Sequence, residues 1–195
     1  MVSGMCLDAT AMAPYTNNAI LFINPTTNTG GNADFIRTYF DAQPMRAHWA
    51  HVFWIGQHIS GTAQYEADAT TAMIDLLPHS QFVVVSAFSD PHVASGQGPA
   101  GADYVKITAY NNIMRARYPT RFVDLKATMV ADGVLNADSQ STLYDGAPSY
   151  WCPTDIHFNS DGSVKAALEI SNFQDALGHI NAAELRRQIA ASGGL

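Results

Sequence analysis

The feature that most constrains this chain is an alternation: short apolar runs closed by turn formers, with stretches of helical spacing between and after them. Ala19-Ile-Leu-Phe-Ile-Asn24 is closed by Pro25 and a Thr/Asn/Gly stretch. His51-Val-Phe-Trp-Ile-Gly56 and Gln81-Phe-Val-Val-Val-Ser-Ala-Phe88 follow the same plan, and Arg121-Phe-Val-Asp-Leu125 is a weaker copy. Runs of this length flanked by turn residues predict strands. Because their centres are continuously apolar, with no polar alternation, both faces of each strand are expected to be covered. Helical patterns occupy residues 33–41, 63–77, 102–117, 162–177 and 182–191. The alternation predicts the α/β class, a mostly parallel sheet between two helical layers.

In such sheets a ligand lies beyond the carboxyl ends of the strands, so the chemistry belongs in the loops that begin near Asn24, Gly56 and Phe88. The stretch 131–159 has many turn formers and few helix or strand signals. It predicts a long functional loop.

Composition narrows the partners. With 195 residues, 47% of them hydrophobic, the chain can build one sizeable core, and no composition shift divides it, so a single domain over 1–195 is expected. Seventeen acidic against ten basic residues leave a formal charge of −7, and no Lys/Arg run is present to track a phosphate backbone, which argues against nucleic acid. No apolar stretch approaches the roughly 20 residues of a bilayer span. Residues 1–20 lack the basic start and long apolar centre of a secretory signal. Cys6 and Cys152 make neither a disulfide framework nor a zinc pattern; they are two thiols or one bridge. His48, His51 and His58 have no ligand spacing tied to a carboxylate, so no metal is expected. Trp49, Trp54 and Trp151 read as core or pocket wall, and Arg186-Arg187 as a solvated face.

Acyl transfer to water needs a nucleophile, a base, a group that orients the base, and donors for the oxyanion. In Cys152-Pro-Thr-Asp155-Ile-His157-Phe-Asn159, an Asp and a His stand just before a helix start marked by Asn159-Ser160-Asp161-Gly162. This segment resembles the C-terminal catalytic block of SGNH/GDSL-type hydrolases, written DxxHxNxxG. His157, Asn159 and Gly162 keep that spacing. Thr154 stands where the family has Asp, and a one-residue shift lets Asp155 serve.

The remaining blocks resemble the family more distantly. Val52-Phe-Trp-Ile-Gly56-Gln57-His58 is similar to the strand ending in GxND, with His58 at the position of the oxyanion-binding Asn and Ile59 at that of the Asp. Thr29-Gly30-Gly31-Asn32 resembles the glycine block, whose backbone N–H joins the oxyanion hole, and Gly31 is the expected donor. No Gly-Asp-Ser-Leu occurs; Gly4-Met5-Cys6-Leu7 stands in its place.

The resemblance implies a flavodoxin-like sheet whose first strand is shortened or missing. It further implies a Cys6, His157, Asp155 site with Gly31 and His58 at the oxyanion, no cofactor, and a small ester or other acylated substrate. A thiol depends less than a hydroxyl on a well-oriented Asp-His pair, so the departures are chemically coherent. Two other outcomes fit the same blocks: an SGNH-like protein that has lost hydrolysis and binds a ligand or glycan, and a Cys-dependent acyltransferase.

Overall fold

A computed structural model of the chain describes residues 20–23, 50–56, 59, 61–77, 79–88, 99, 101–153 and 157–179. The expected helices at 33–41 and 182–191 lie outside these residues.

Four strands form one parallel sheet in chain order: β1 (Ile20–Ile23), β2 (Ala50–Phe53), β3 (Phe82–Val85) and β4 (Phe122–Val123). The register pairs Ile20 with Ala50, Val52 with Val83, and Val84 with Phe122. Every residue of β2, β3 and β4 is buried, as their unbroken apolar sequence requires.

Between β2 and β3 lies α1 (Ala63–Ile74), whose first orphan N–H groups are met by the Thr62 hydroxyl accepting from Tyr65. Between β3 and β4 lies α2 (Ala102–Arg117), with Arg115 and Arg117 in its last turn, where cations complement the helix dipole. Both pack on one face of the sheet. Ala67, Met73 and Ile74 of α1 and Ile107, Tyr110 and Met114 of α2 meet Phe53, Phe82, Val84 and Phe122. A sheet whose strand order follows chain order, with crossovers of one hand, puts its connecting helices on one side in this way.

The opposite face is covered by chain that follows β4: α3 (Leu125–Leu135), α4 (Ser139–Tyr144) and α5 (Ser160–Ala176). Leu125 and Met129 of α3 and Ala166 and Ile170 of α5 close on Val52, Val83, Val85 and Val123. The α/β class and the parallel sheet therefore stand as the sequence indicates.

One expectation is corrected. The stretch 131–159 contains the end of α3 and all of α4, where a loop is expected. Asp124 caps α3 by accepting from the N–H of Ala127, and Asp138 caps α4 by accepting from Gln140 and Ser141. The two helices touch where Gly133 leaves no room for a β-carbon: one built there would stand 1.9 Å from Ser141 Oγ. At the edge of the sheet, β1 pairs directly with β2, whose other edge is held by β3. A central first strand would have to stand between β1 and β2, and no strand does.

Candidate active site at the carboxyl rim of the sheet

The carboxyl ends of β2 and β3 carry Trp54 and Phe88, and the segment containing His157 is fastened to them by the next residue. The Phe158 ring lies 5.6 Å from that of Trp54, 5.3 Å from Phe88 and 6.2 Å from Trp151, between ring centroids. Aromatic pairs at such separations are worth about 0.5–1.5 kcal/mol beyond the area they bury. His157 itself is exposed. An exposed imidazole on a fixed backbone, at the rim where parallel sheets bind ligands, can exchange protons with a substrate.

Asn159 and Gly162 explain why this segment has its spacing. Asn159 is the N-cap of α5: its Oδ1 accepts from Gly162 N–H at 2.7 Å, its Nδ2 donates to the Tyr150 carbonyl at 2.8 Å, and its own N–H donates to the Trp151 carbonyl at 2.9 Å. Gly162 lies so close to the turn at 150–152 that a β-carbon on it would stand 2.6 Å from the Trp151 carbonyl oxygen. Both residues are used to lock the start of α5 against that turn.

The turn is held from its other side by two carboxylates. Asp132 of α3 accepts from the Tyr150 hydroxyl at 2.9 Å and the Trp151 indole N–H at 3.0 Å, with Lys165 Nζ at 3.5 Å. Burial pushes the Asp132 carboxyl up, but the bonds from Tyr150 and Trp151 and the charge of Lys165 outweigh it and hold the group below 3.8. Asp138 is governed in the same way: burial raises it, and the Ser149 hydroxyl with the N–H groups of Ser149, Ser141 and Gln140 lowers it further. Cys152 is buried within this core, beside Trp151 and Ala166.

Around the rim, Asn111 of α2 clamps the chain leaving β3, accepting from Ala87 N–H at 2.9 Å and donating to its carbonyl at 2.7 Å. Ser86 Oγ accepts from Lys126 N–H at 2.8 Å, which ties the end of β3 to the start of α3. Lys126 Nζ and the Tyr104 hydroxyl both donate to Asp145 Oδ2 at 2.6 Å, and Lys126 lies 4.4 Å above the Tyr104 ring. After β2, Gly56 takes φ +94°, and a β-carbon there would stand 2.6 Å from the Tyr110 ring. The glycine of the GxND-like block is thus required by its backbone and by Tyr110.

Of the expected site residues, His157 is described and stands at the rim. Cys6, Asp155, Gly31 and His58 lie outside the described residues, as do His48 and Trp49. His51 is wholly buried on β2, its ring 5.4 Å from that of His79 and 6.5 Å from that of Phe53. Among the described residues no group of three His, Cys, Asp or Glu side chains is arranged to hold a metal ion. No described helix is long and apolar enough to cross a membrane.

No motif marks Asp132, Asp138, Asn111 or Ser86. Single polar residues become informative only through partners 10 to 40 positions away; a residue such as Asp138, one position before Ser139, carries the local signal of a helix cap. No family model and no curated protein matches the chain.

Proposed function

We propose that the chain is an acyl hydrolase of SGNH type, built on a three-layer, flavodoxin-like sheet, acting through a covalent acyl-enzyme on a small ester. The observation that supports it is the position of His157: exposed, and held by Phe158 against Trp54 and Phe88 at the carboxyl ends of β2 and β3.

In this reading the Cys6 thiolate adds to the substrate carbonyl after His157 takes its proton. The tetrahedral oxyanion is met by the backbone N–H of Cys6 and of Gly31 and by the His58 ring. As it collapses, the bond to the alcohol oxygen breaks and His157 returns the proton to the leaving alcohol, leaving a thioester. Water then attacks the thioester, giving its proton to His157, and the acid leaves as the thiol is restored. Asp155 orients His157.

The test is hydrolysis of p-nitrophenyl acetate with intact-mass detection of an acylated chain. Cys6→Ala and His157→Gln are each expected to lower kcat/KM by about a thousandfold or more, and alkylation of Cys6 to do the same. Full turnover by Cys6→Ala overturns the nucleophile. A chain that neither turns over nor acquires an acyl group overturns the hydrolase reading.

A further inference from the structure

At the end of α5 remote from His157, three polar side chains and one backbone carbonyl form a continuous hydrogen-bonded chain. Gly178, at φ +70°, ends the helix in a Schellman turn: its N–H donates to the Asp175 carbonyl and the His179 N–H to the Gln174 carbonyl. That turn folds His179 back over Gln174. Gln174 is wholly buried, and its Nε2 donates to the His51 carbonyl of β2 at 3.2 Å. Its Oε1 is left to accept, and its partner is His179 Nδ1. The proton on His179 therefore sits on Nδ1, and Nε2 carries the lone pair. Arg121 Nη1 stands 3.1 Å from that Nε2, and the same guanidinium donates to the Ser80 carbonyl ahead of β3 and lies 4.9 Å above the Phe82 ring.

We propose that Arg121, His179, Gln174 and His51 form a pH-sensitive latch, which fastens the carboxyl end of α5 to the amino-terminal ends of β2, β3 and β4 only while His179 is neutral. A proton entering at Nε2 takes the position to which the Arg121 N–H points. The Arg121 to His179 bond breaks and two cations face each other across it. Among the described residues, the charged and titratable groups facing His179 are Arg121, from the turn into β4, and His79, from the segment into β3; His51 stands behind Gln174. Both neighbours oppose a proton on His179. Burial first, then Arg121 and His79, hold its pKa below 6.5. The unfolded chain thus binds the proton more readily than the folded one, and the latch weakens as pH falls through 6.5 toward the lower folded value. At roughly 1.5 Å per residue, the 17 residues of α5 connect this latch to the His157 segment over about 26 Å. The inference is independent of the acyl hydrolase reading.

The test is an imidazole ¹⁵N titration of the full chain, with hydrogen exchange of the last turn of α5 followed over the same range. The expected result is an Nδ1–H tautomer at pH 7.5, a His179 midpoint below 6.5, and a midpoint that moves upward in Arg121→Gln. Exchange in the last turn, corrected for intrinsic rates, should accelerate as His179 titrates, and this step should be absent in His179→Gln. An Nε2–H tautomer at neutral pH, a midpoint at or above 6.5, or exchange that ignores the state of His179 overturns the latch.

Discussion

Gly162→Ala tests whether the turn at 150–152 and the start of α5 are pressed together as closely as the His157 segment requires. On helix propensity alone the change should stabilise, since Ala exceeds Gly by about 1 kcal/mol. Against this, the new β-carbon would meet the Trp151 carbonyl oxygen at 2.6 Å, Trp151 Cα at 3.0 Å and Phe158 Cδ1 at 3.1 Å. Two of these atoms are backbone and cannot swing aside. Forcing a methyl group into filled space costs about 1–3 kcal/mol. Separating the turn from the helix also strains the two bonds from Asn159 to the Tyr150 and Trp151 carbonyls, worth about 1 kcal/mol each. The balance is a net loss of about 3 kcal/mol, or a fall in Tm of about 6–12 °C for a chain of this size. Thermal unfolding followed by far-ultraviolet circular dichroism at pH 7.5 reads it directly. An unchanged or raised Tm would show that the helix start does not press on the turn, and that the spacing of His157, Asn159 and Gly162 has another cause.

Gly56→Ala combines a left-handed backbone with a clash against the Tyr110 ring, and should cost about 4 kcal/mol by denaturant unfolding. Glu66→Gln should raise Tm at pH 7.5. Burial raises the Glu66 pKa, so its stability deficit develops as pH climbs above 4.5, and the advantage of Gln should vanish when both chains are melted below that pH. Asp138→Asn keeps a capping acceptor in its Oδ1 but loses the second acceptor, which meets the Ser149 N–H and hydroxyl, and should cost about 1–2 kcal/mol at pH 7.5. Because the Asp138 pKa is lowered, its contribution is present above 3.8 and disappears as pH falls through the folded value, so the gap between variant and parent should close in acid.

What was legible in the sequence was what local pattern carries. Within Gln81 to Phe88 the four residues Phe82 to Val85 are apolar without a break, and they are β3. The helical pattern at 102–117 coincides with α2, which has Gly101 as its N-cap and Tyr118-Pro119 after its last turn. Residues 160–162 showed their cap through Asn159. What was not legible depends on partners distant in the chain. α3 contains Gly133, a residue that reads as a break, and it is retained because Ser141 of α4 occupies the space of a β-carbon. α4 has six residues, too few for periodicity to register. At the candidate site the sequence singles out His157 through a motif, but Asp132 and Asp138, the carboxylates that hold the turn at 149–151, have no motif to announce them.

The two faces of the sheet mature at different times as the chain is made. One face is assembled from residues 53 to 122, so it can close while the remainder of the chain is still emerging. The other needs Ala166 and Ile170, and the Gln174 to His51 bond joins positions 123 apart. Until α5 arrives, Val52, Val83 and Val85 have only the cover of Leu125, Met129 and the turn around Trp151, and lack that of Ala166 and Ile170. A nascent or truncated chain ending before Ser160 is therefore a sandwich sealed on one side and half-covered on the other, the kind of species that chaperones hold and that aggregates when they do not.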